Sequence, residues 1–91
     1  MQQKDEKTKE LAVKLGALIR DLRLNSLGVS INQFAHEYDL DVGNTSRVEK
    51  GSIDIKFVTL WKIAEALHIK TSELVGLLEN ELGENFCFYE E

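Results

Sequence analysis

Apolar residues along the chain recur every three or four positions, which is the spacing of one face of an α-helix. The clearest series predicts a first helix over about residues 4–24, with an apolar face made by Leu11, Leu15, Leu18 and Leu22. Small polar or flexible residues then end the pattern, namely Asn25, Ser26 and Gly28. The sequence contains no proline, and no strand-like alternation occurs before its last few residues. The pattern therefore predicts an all-α fold.

Two short helices should follow, each with a capping residue at its start. Ser30 and Asp41 suit the N-cap position, where a side-chain oxygen accepts a hydrogen bond from an otherwise unpaired backbone amide. They predict helices over residues 31–38 and 42–50, and Gly51 suits the end of the second one. Two short helices joined by a three-residue turn are the arrangement of a helix-turn-helix.

Two further helices complete the predicted domain. Apolar spacing indicates a fourth helix over residues 57–67 and a fifth over residues 72–82. Phe57 and Trp61 lie at core spacing in the fourth helix. We therefore expect both to be buried in the core and not to form a ligand cage.

The chain of 91 residues is long enough for one domain with short tails. We expect a polar N-terminal extension of helix 1 at residues 1–10, the helix-turn-helix domain at 11–82 and an acidic, aromatic tail at 83–91. The tail run Phe86-Cys87-Phe88-Tyr89 could pair as a β-strand with a second copy, fold back on its own core or be disordered. The single cysteine in it has no partner for an internal disulfide.

Charge is unevenly distributed along the chain. The net charge is −5, but six acidic residues and no basic ones lie from Thr71 onward. Residues 1–70 hold the remaining ten acidic and all eleven basic side chains, for a net charge of +1. Binding to nucleic acid depends on the charge of the docking face and not on that of the whole chain, so the acidic total does not exclude it.

Composition argues against several other classes of protein. There is no apolar run near 18 residues, and the polar start of the chain lacks the features of a signal peptide. The two histidines, His36 and His68, are far apart in sequence and are expected at the surface and at a helix end. We see no nucleophile–base set, no phosphate-cradling glycine loop and no metal-ligand cluster. These features predict a cytoplasmic protein that is not an enzyme and needs no cofactor.

An ordered set of short matches resembles the phage-repressor-like (Xre/Cro-type) helix-turn-helix family and covers about two-thirds of the chain. The matching pieces are Leu15-Gly16, Ile19-Arg20, Leu22-Arg23, Gly28-Val29-Ser30, Phe34-Ala35, Ser46-Arg47-Val48-Glu49-Lys50-Gly51, Thr59-Leu60, Lys62-Ile63-Ala64, Ala66-Leu67 and Glu73-Leu74. The resemblance implies a compact five-helix, lambda-repressor-like domain. It also implies a transcriptional regulator that binds double-stranded DNA at specific sequences.

The third helix has the chemistry to read a major groove. Thr45 and Val48 point to one side of it, and Gly43, Asn44, Arg47 and Lys50 to the other. Arginine can donate two hydrogen bonds to guanine, asparagine can pair with adenine, and an apolar side chain can contact a thymine methyl. The expected base-contacting residues are Val42, Gly43, Asn44 and Arg47. Gly43 would allow the helix backbone to approach DNA closely.

Polar residues around this helix are candidates for phosphate contacts. They are Ser30, Asn32, Ser46, Lys50, Ser52 and Lys56. The family usually has a glutamine after the cap of the second helix, whereas this chain has Ile31, so Asn32 would have to replace that anchor. The resemblance also implies a partly buried structural ion pair between Arg23 and Glu49.

Two residues occupy positions where the family usually has glycine. Asp39 lies in the turn of the motif, where a left-handed backbone is expected, and aspartate adopts that conformation more readily than most residues do. His68 lies at the end of the fourth helix. The backbone angles at Asp39 and His68 therefore test the resemblance.

Such small domains usually bind DNA as dimers, with half-sites about 34–36 Å apart. The candidate dimer interface consists of Leu74, Leu77, Leu78, Phe86, Phe88 and Tyr89. Two alternatives use the same fold: an antitoxin whose fifth helix and tail bind a toxin protein, and a protein-interaction module with weak or no DNA binding. Ile31, Asp41 and the near-neutral body favour the second alternative.

Overall fold

The computed structural model describes residues 3–89 and contains five α-helices within that range. They are α1 Gln3–Leu22, α2 Ile31–Glu37, α3 Val42–Glu49, α4 Phe57–Ala66 and α5 Thr71–Leu82. This confirms the all-α prediction. Residues 1–2 of the predicted extension and residues 90–91 of the predicted tail lie outside the described range.

The core lies where α1, α2, α4 and α5 converge. Its most enclosed large side chains are Ile19, Phe34, Ile63 and Leu74, each with 0% of its surface exposed. Val48, on the buried side of α3, belongs to the same cluster. The apolar series that predicted the helices therefore also supplies the faces that hold them together.

The first helix continues further than its apolar pattern indicates. Arg23–Leu27 form one π-helical turn directly after α1, and Gly28 ends it with a left-handed backbone (φ 65°). The Gly28 amide donates to the carbonyl oxygen of Arg23 at 2.9 Å. Asn25 and Ser26 thus lie inside a helical turn and do not terminate the helix. Arg23, the first residue of this turn, is buried.

Gly16 allows α1 and α3 to cross at backbone distance. A Cβ atom on Gly16 would collide with the carbonyl oxygen of Val48 and lie only 2.6 Å from that of Glu49. Gly51, just after α3, has a positive φ of 71°, and a Cβ there would lie 2.5 Å from Cα of Val13. Both glycines therefore hold α3 and its following loop directly against α1.

Two residues at positions where the similar family usually has glycine both have left-handed backbones. Asp39 has φ 57° and His68 has φ 65°, and they are the non-glycine residues with positive φ within residues 3–89. The Tyr38 hydroxyl lies 3.0 Å from Nε2 of His68, which joins the end of α2 to the end of α4. His68 is thus a helix-end residue, as expected.

The prediction that Phe57 and Trp61 belong to the core is wrong. Their exposed fractions are 67% and 50%. The buried side of α4 is centred on Ile63 and includes Ala64, Ala66 and Leu67, whereas Phe57 and Trp61 lie beyond its edge on the helix circumference. Helical spacing identified an apolar pair but not the direction in which it points.

The predicted dimer interface on α5 is also wrong in part. Leu74 (0% exposed) and Leu78 (7% exposed) lie in the protein's own core, one helical turn apart, so neither is available to a second copy. Leu77 is half exposed on another side of the helix. A chain of 91 residues has a small core, and the apolar side of α5 is buried in it.

The aromatic tail forms no strand between residues 83 and 89. Phe86 folds back toward α1, where the amine of Lys7 lies 5.1 Å from the ring centre. Phe88 is partly exposed and Tyr89 is 84% exposed. Of the alternatives for the tail, the described chain supports folding back for Phe86.

Candidate nucleic-acid interface

The helix-turn-helix is formed by α2 and α3, and each helix has the predicted cap. The Ser30 hydroxyl oxygen accepts from the Gln33 amide at 3.1 Å. After α2, the amide of Leu40 donates to the carbonyl oxygen of Ala35 at 2.8 Å. With the left-handed Asp39, this contact closes the turn and sets the direction in which α3 begins.

Asp41 begins α3 with two hydrogen bonds. Its Oδ2 accepts from the Asn44 amide at 2.7 Å, and its carbonyl oxygen accepts from the Thr45 hydroxyl at 2.8 Å. The carboxylate therefore lies against the positive end of the helix dipole, which balances part of its charge. An acidic residue at this position stabilises the helix that carries the candidate reading residues.

The two sides of α3 have opposite surroundings. Thr45, Val48 and Glu49 are buried, with exposed fractions of 1%, 2% and 9%. The outward side carries the predicted base-contacting set: Val42, Gly43 and Arg47 are exposed and Asn44 is half-buried. The structure thus places these four residues on the open side of a helix whose inner side is fixed in the core.

The ion pair implied by the resemblance is present and buried. Arg23 Nε donates to Glu49 Oε2 at 2.8 Å, and Arg23 Nη2 donates to Glu49 Oε1 at 2.9 Å. The third nitrogen, Nη1, donates to the Val29 carbonyl oxygen at 2.7 Å. The hydrogen bonds with Glu49 raise the pKa of Arg23 above its ordinary value, and burial opposes this only in part. The pair joins the end of α1 to the end of α3 and fixes the angle of α3.

Arg47 and Asn44 border a shallow depression of about 410 Å³ that continues beyond α3. Its other walls include Asp54 and Lys56 from the following loop and Thr59 from the first turn of α4. Thr59 was not among the predicted contacts. Its signal in the sequence was weak, because a threonine in the first turn of a helix is common whatever the function.

The candidate phosphate contacts differ in what their side chains already do. Ser30, Asn32, Lys50 and Lys56 are exposed, and Ser46 is half-buried. The Ser30 hydroxyl accepts a hydrogen bond as a cap, so its own proton remains available to a phosphate. The Ser52 hydroxyl instead donates to the Arg47 carbonyl oxygen at 3.1 Å and helps to end α3. A phosphate contact from Ser52 would require that bond to break.

The described residues contain no group of histidine, cysteine, aspartate or glutamate side chains arranged to hold a metal ion. No helix within residues 3–89 combines the length and apolar character needed to cross a membrane.

Comparison with known proteins gives consistent results. The helix-turn-helix family model matches residues 19–74, which is more than half of the chain. The control protein C.MunI from Mycoplasma sp is 32% identical over 72 residues, covering 79% of this chain and 97% of that protein.

A solved structure adds the fold. The crystal structure of the restriction-modification controller protein C.AhdI from Aeromonas hydrophila superposes with a TM-score of 0.63 at 35% sequence identity. The superposition covers 69% of this chain and 94% of that one. With the capped α2–α3 motif and its buried ion pair, these similarities establish that the chain belongs to the phage-repressor-like helix-turn-helix family of sequence-specific, DNA-binding transcriptional regulators.

Proposed function

We propose that this protein is a controller-type transcriptional regulator that reads the major groove with α3 as a homodimer on a palindromic operator. The observation that carries the proposal is the open side of α3, where exposed Arg47 and half-buried Asn44 project from a helix held by the Arg23–Glu49 pair. A rigid helix with free polar groups on one side is what direct readout of base edges requires. Both relatives described above are named as control or controller proteins, which supports the same role here.

Within this proposal, each outward residue of α3 has one role. Arg47 donates a pair of hydrogen bonds to a guanine, Asn44 pairs with an adenine, and Val42 contacts a thymine methyl group. Gly43 lets the backbone of the first turn lie close to the bases. Val42 is 38% exposed although it is apolar, which suits a contact made only when DNA is bound.

Phosphate contacts would come from both ends of the motif. Ser30 and Asn32 lie at the start of α2, while Lys50 and Lys56 lie beyond the end of α3. Ser46 is a candidate with a partly covered hydroxyl. Contacts of this kind set the register of the protein on the duplex without reading its sequence.

A homodimer would supply the specificity that one small module lacks. Two copies related by a two-fold axis would contact half-sites about 34–36 Å apart on one face of the duplex. We also propose that the protein acts in the cytoplasm, without a cofactor and without catalysing a reaction.

The test is selection of binding sites from random duplex DNA, followed by titration of the selected site with wild-type protein and Arg47→Ala. We expect a palindrome, and a loss of roughly 1–3 kcal/mol for Arg47→Ala that is concentrated at one guanine position. Lys9→Ala is the control, because Lys9 is an exposed cation on α1 outside the depression that contains Arg47. If no sequence is enriched, or if Arg47→Ala binds like wild type, the proposed reading mechanism fails.

A further inference from the structure

The carboxylate of Asp41 and the guanidinium of Arg47 lie over the same point on the outward side of α3. That point is Gly43, where a Cβ atom would lie 3.5 Å from Asp41 Oδ2, 3.6 Å from Arg47 Nη1 and 3.8 Å from Arg47 Nη2. Both side chains are exposed, and both line the depression described above. A group that only accepts hydrogen bonds and a group that only donates them are therefore placed side by side over the first turn of the helix.

The position of the two groups follows from the local geometry of α3. Long side chains on a helix point back toward its N-terminus, so Arg47 extends over Gly43, one helical turn earlier. Residues six positions apart do not face each other on a regular helix. Asp41 is the N-cap and lies just outside the helix, and this is how its carboxylate comes beside the returning Arg47.

The capping role of Asp41 does not account for its charge. Asp41 Oδ2 accepts from the Asn44 amide at 2.7 Å, and this bond fixes the side chain at the start of α3. A carboxylate has about four acceptor sites on its two oxygens, so the cap leaves acceptor capacity for another molecule. Asparagine and serine cap helices about as well as aspartate does. A negative charge at this position therefore calls for a second explanation.

A G·C base pair presents the matching set of groups in the major groove. Guanine offers two acceptors, N7 and O6, and the paired cytosine offers its N4 amine as a donor. An A·T pair offers the N7 acceptor and the N6 amine of adenine, followed by the O4 acceptor of thymine. Two donor nitrogens beside a carboxylate thus complement G·C. Against A·T, the same carboxylate would face the thymine oxygen, which has no proton to donate.

We propose that Asp41 and Arg47 read one G·C base pair together, with the guanidinium on guanine and the Asp41 carboxylate accepting from the N4 amine of the paired cytosine. The inference rests on the guanine contact of the proposed function and adds a second specificity-determining residue to it. Asp41 weakens binding to every sequence, because its negative charge lies near the phosphates. The cytosine amine offsets this repulsion at the correct base pair, and an incorrect pair does not.

The experiment titrates wild-type protein and Asp41→Asn against the selected operator and against duplexes in which one base pair of one half-site is replaced at a time. Asparagine keeps the cap, so the variant should fold, and thermal unfolding checks this. At the guanine position identified by Arg47→Ala, the affinity ratio between G·C and A·T should fall about tenfold. At the other positions the ratios should not change. Asp41→Ser, which also caps without a charge, should repeat this result.

Asp54→Asn is the matched comparison, because it removes a second carboxylate from the wall of the same depression. It should tighten binding to the operator and to the replaced duplexes by the same factor, since only the general repulsion of the phosphates is relieved. An equal loss of discrimination at the guanine position for Asp54→Asn would overturn the inference. A general effect of charge, and not the Asp41 contact, would then explain both variants.

The inference is also overturned if Asp41→Asn tightens binding to all duplexes by one factor, or if it relaxes a base pair other than the one that Arg47 reads. Either result, together with a position-specific loss for Arg47→Ala, would leave the proposed reading mechanism intact. An Arg47→Ala protein that discriminates like wild type would overturn both. Failure of the inference and failure of the proposed function are therefore separate outcomes.

Discussion

Arg47 and Glu49 lie two positions apart on α3 and have opposite surroundings. A helix turns by about 100° per residue, so side chains at this spacing point to different sides. Arg47 is open to solvent, while Glu49 is buried in a two-point contact with Arg23. Residues two positions apart thus divide two tasks: Glu49 attaches the helix to the protein, and Arg47 is left free for the DNA contact proposed above.

Removing Arg23 should destabilise the protein strongly. Arg23→Ala leaves the Glu49 carboxylate buried without its partner, and such changes cost roughly 3–5 kcal/mol in the free energy of unfolding. Denaturant unfolding measures this. Arg20→Ala is the matched control, because Arg20 is an exposed arginine three residues earlier, in the last turn of α1, and its effect should be within about 0.5 kcal/mol.

A double variant tests whether the loss comes from the buried charge. Arg23→Met with Glu49→Leu replaces both charges by apolar groups and should recover much of the stability. An unchanged unfolding midpoint for Arg23→Ala alone would contradict the prediction.

Gly43→Ala should separate the stability of α3 from its contact with DNA. A Cβ atom at Gly43 would lie 3.5 Å from Asp41 Oδ2 and 3.6 Å from Arg47 Nη1, which are ordinary contacts. The free protein should therefore gain about 0.5–1 kcal/mol, since alanine is the better helix former. DNA affinity should fall, because the added methyl group separates the backbone from the bases. Equal or tighter binding by the variant would show that the backbone does not approach DNA there.

At the level of whole elements, α1 and α3 touch through their backbones at Gly16. The buried side of α3 contributes only a few side chains, so the helix depends on this crossing and on the ion pair for its position. A short helix held at two points keeps its direction even though it has only eight residues.

Gly16→Ala should force this crossing apart. The new methyl group has no space beside the Val48 and Glu49 carbonyl oxygens, and overpacking of this kind costs about 1–3 kcal/mol. Gly76→Ala is the control in α5, where a Cβ atom would meet nothing within 4 Å. That variant should be neutral or slightly stabilising. Similar unfolding free energies for both variants would contradict the close approach.

Local chemistry explains why the helices and caps could be predicted from sequence. Ser30 and Asp41 cap the helices they were expected to begin, because capping depends on residues only three positions away. The sequence predicted Phe57 and Trp61 in the core, but both are exposed. It predicted Leu74 and Leu78 in a dimer interface, but both are buried in the core. Their burial depends on which arc of each helix meets its neighbours, and apolar spacing alone cannot specify that arc.

In the candidate site too, features set by local sequence were predicted, and features set by the packing of distant segments were not. The outward and inward sides of α3 follow from its period, and both were predicted. The role of Ser52 and the presence of Thr59 in the depression depend on how the following loop folds back, which no local pattern indicates.

Across the whole molecule, charge is separated along the chain. The acidic residues concentrated after Thr71 lie in a different part of the sequence from the motif at residues 30–56. DNA affinity should therefore depend on a few cations near α3 and fall as salt rises, since each phosphate contact releases bound counterions.

Lys56→Ala should reduce the slope of log affinity against log salt concentration by about 1, with no change in the preferred sequence. Titration of one operator at several salt concentrations measures the slope. Lys9→Ala, the control, removes an exposed cation from α1 and should leave the slope unchanged. A shift in base preference for Lys56→Ala would show that this lysine reads bases and not phosphates.

The separation of the two sides of α3 has a consequence for how such regulators can diverge. The outward residues Val42, Gly43, Asn44 and Arg47 contribute little to the core, which depends on Thr45, Val48 and Glu49. Under the proposed readout by α3, exchanging these residues recodes the operator preference without redesigning the scaffold. A chimaera carrying the outward residues of another controller should acquire that protein's operator while keeping its own unfolding free energy within about 1 kcal/mol. On the same proposal, a few exchanged side chains are enough to give the protein a new regulatory target.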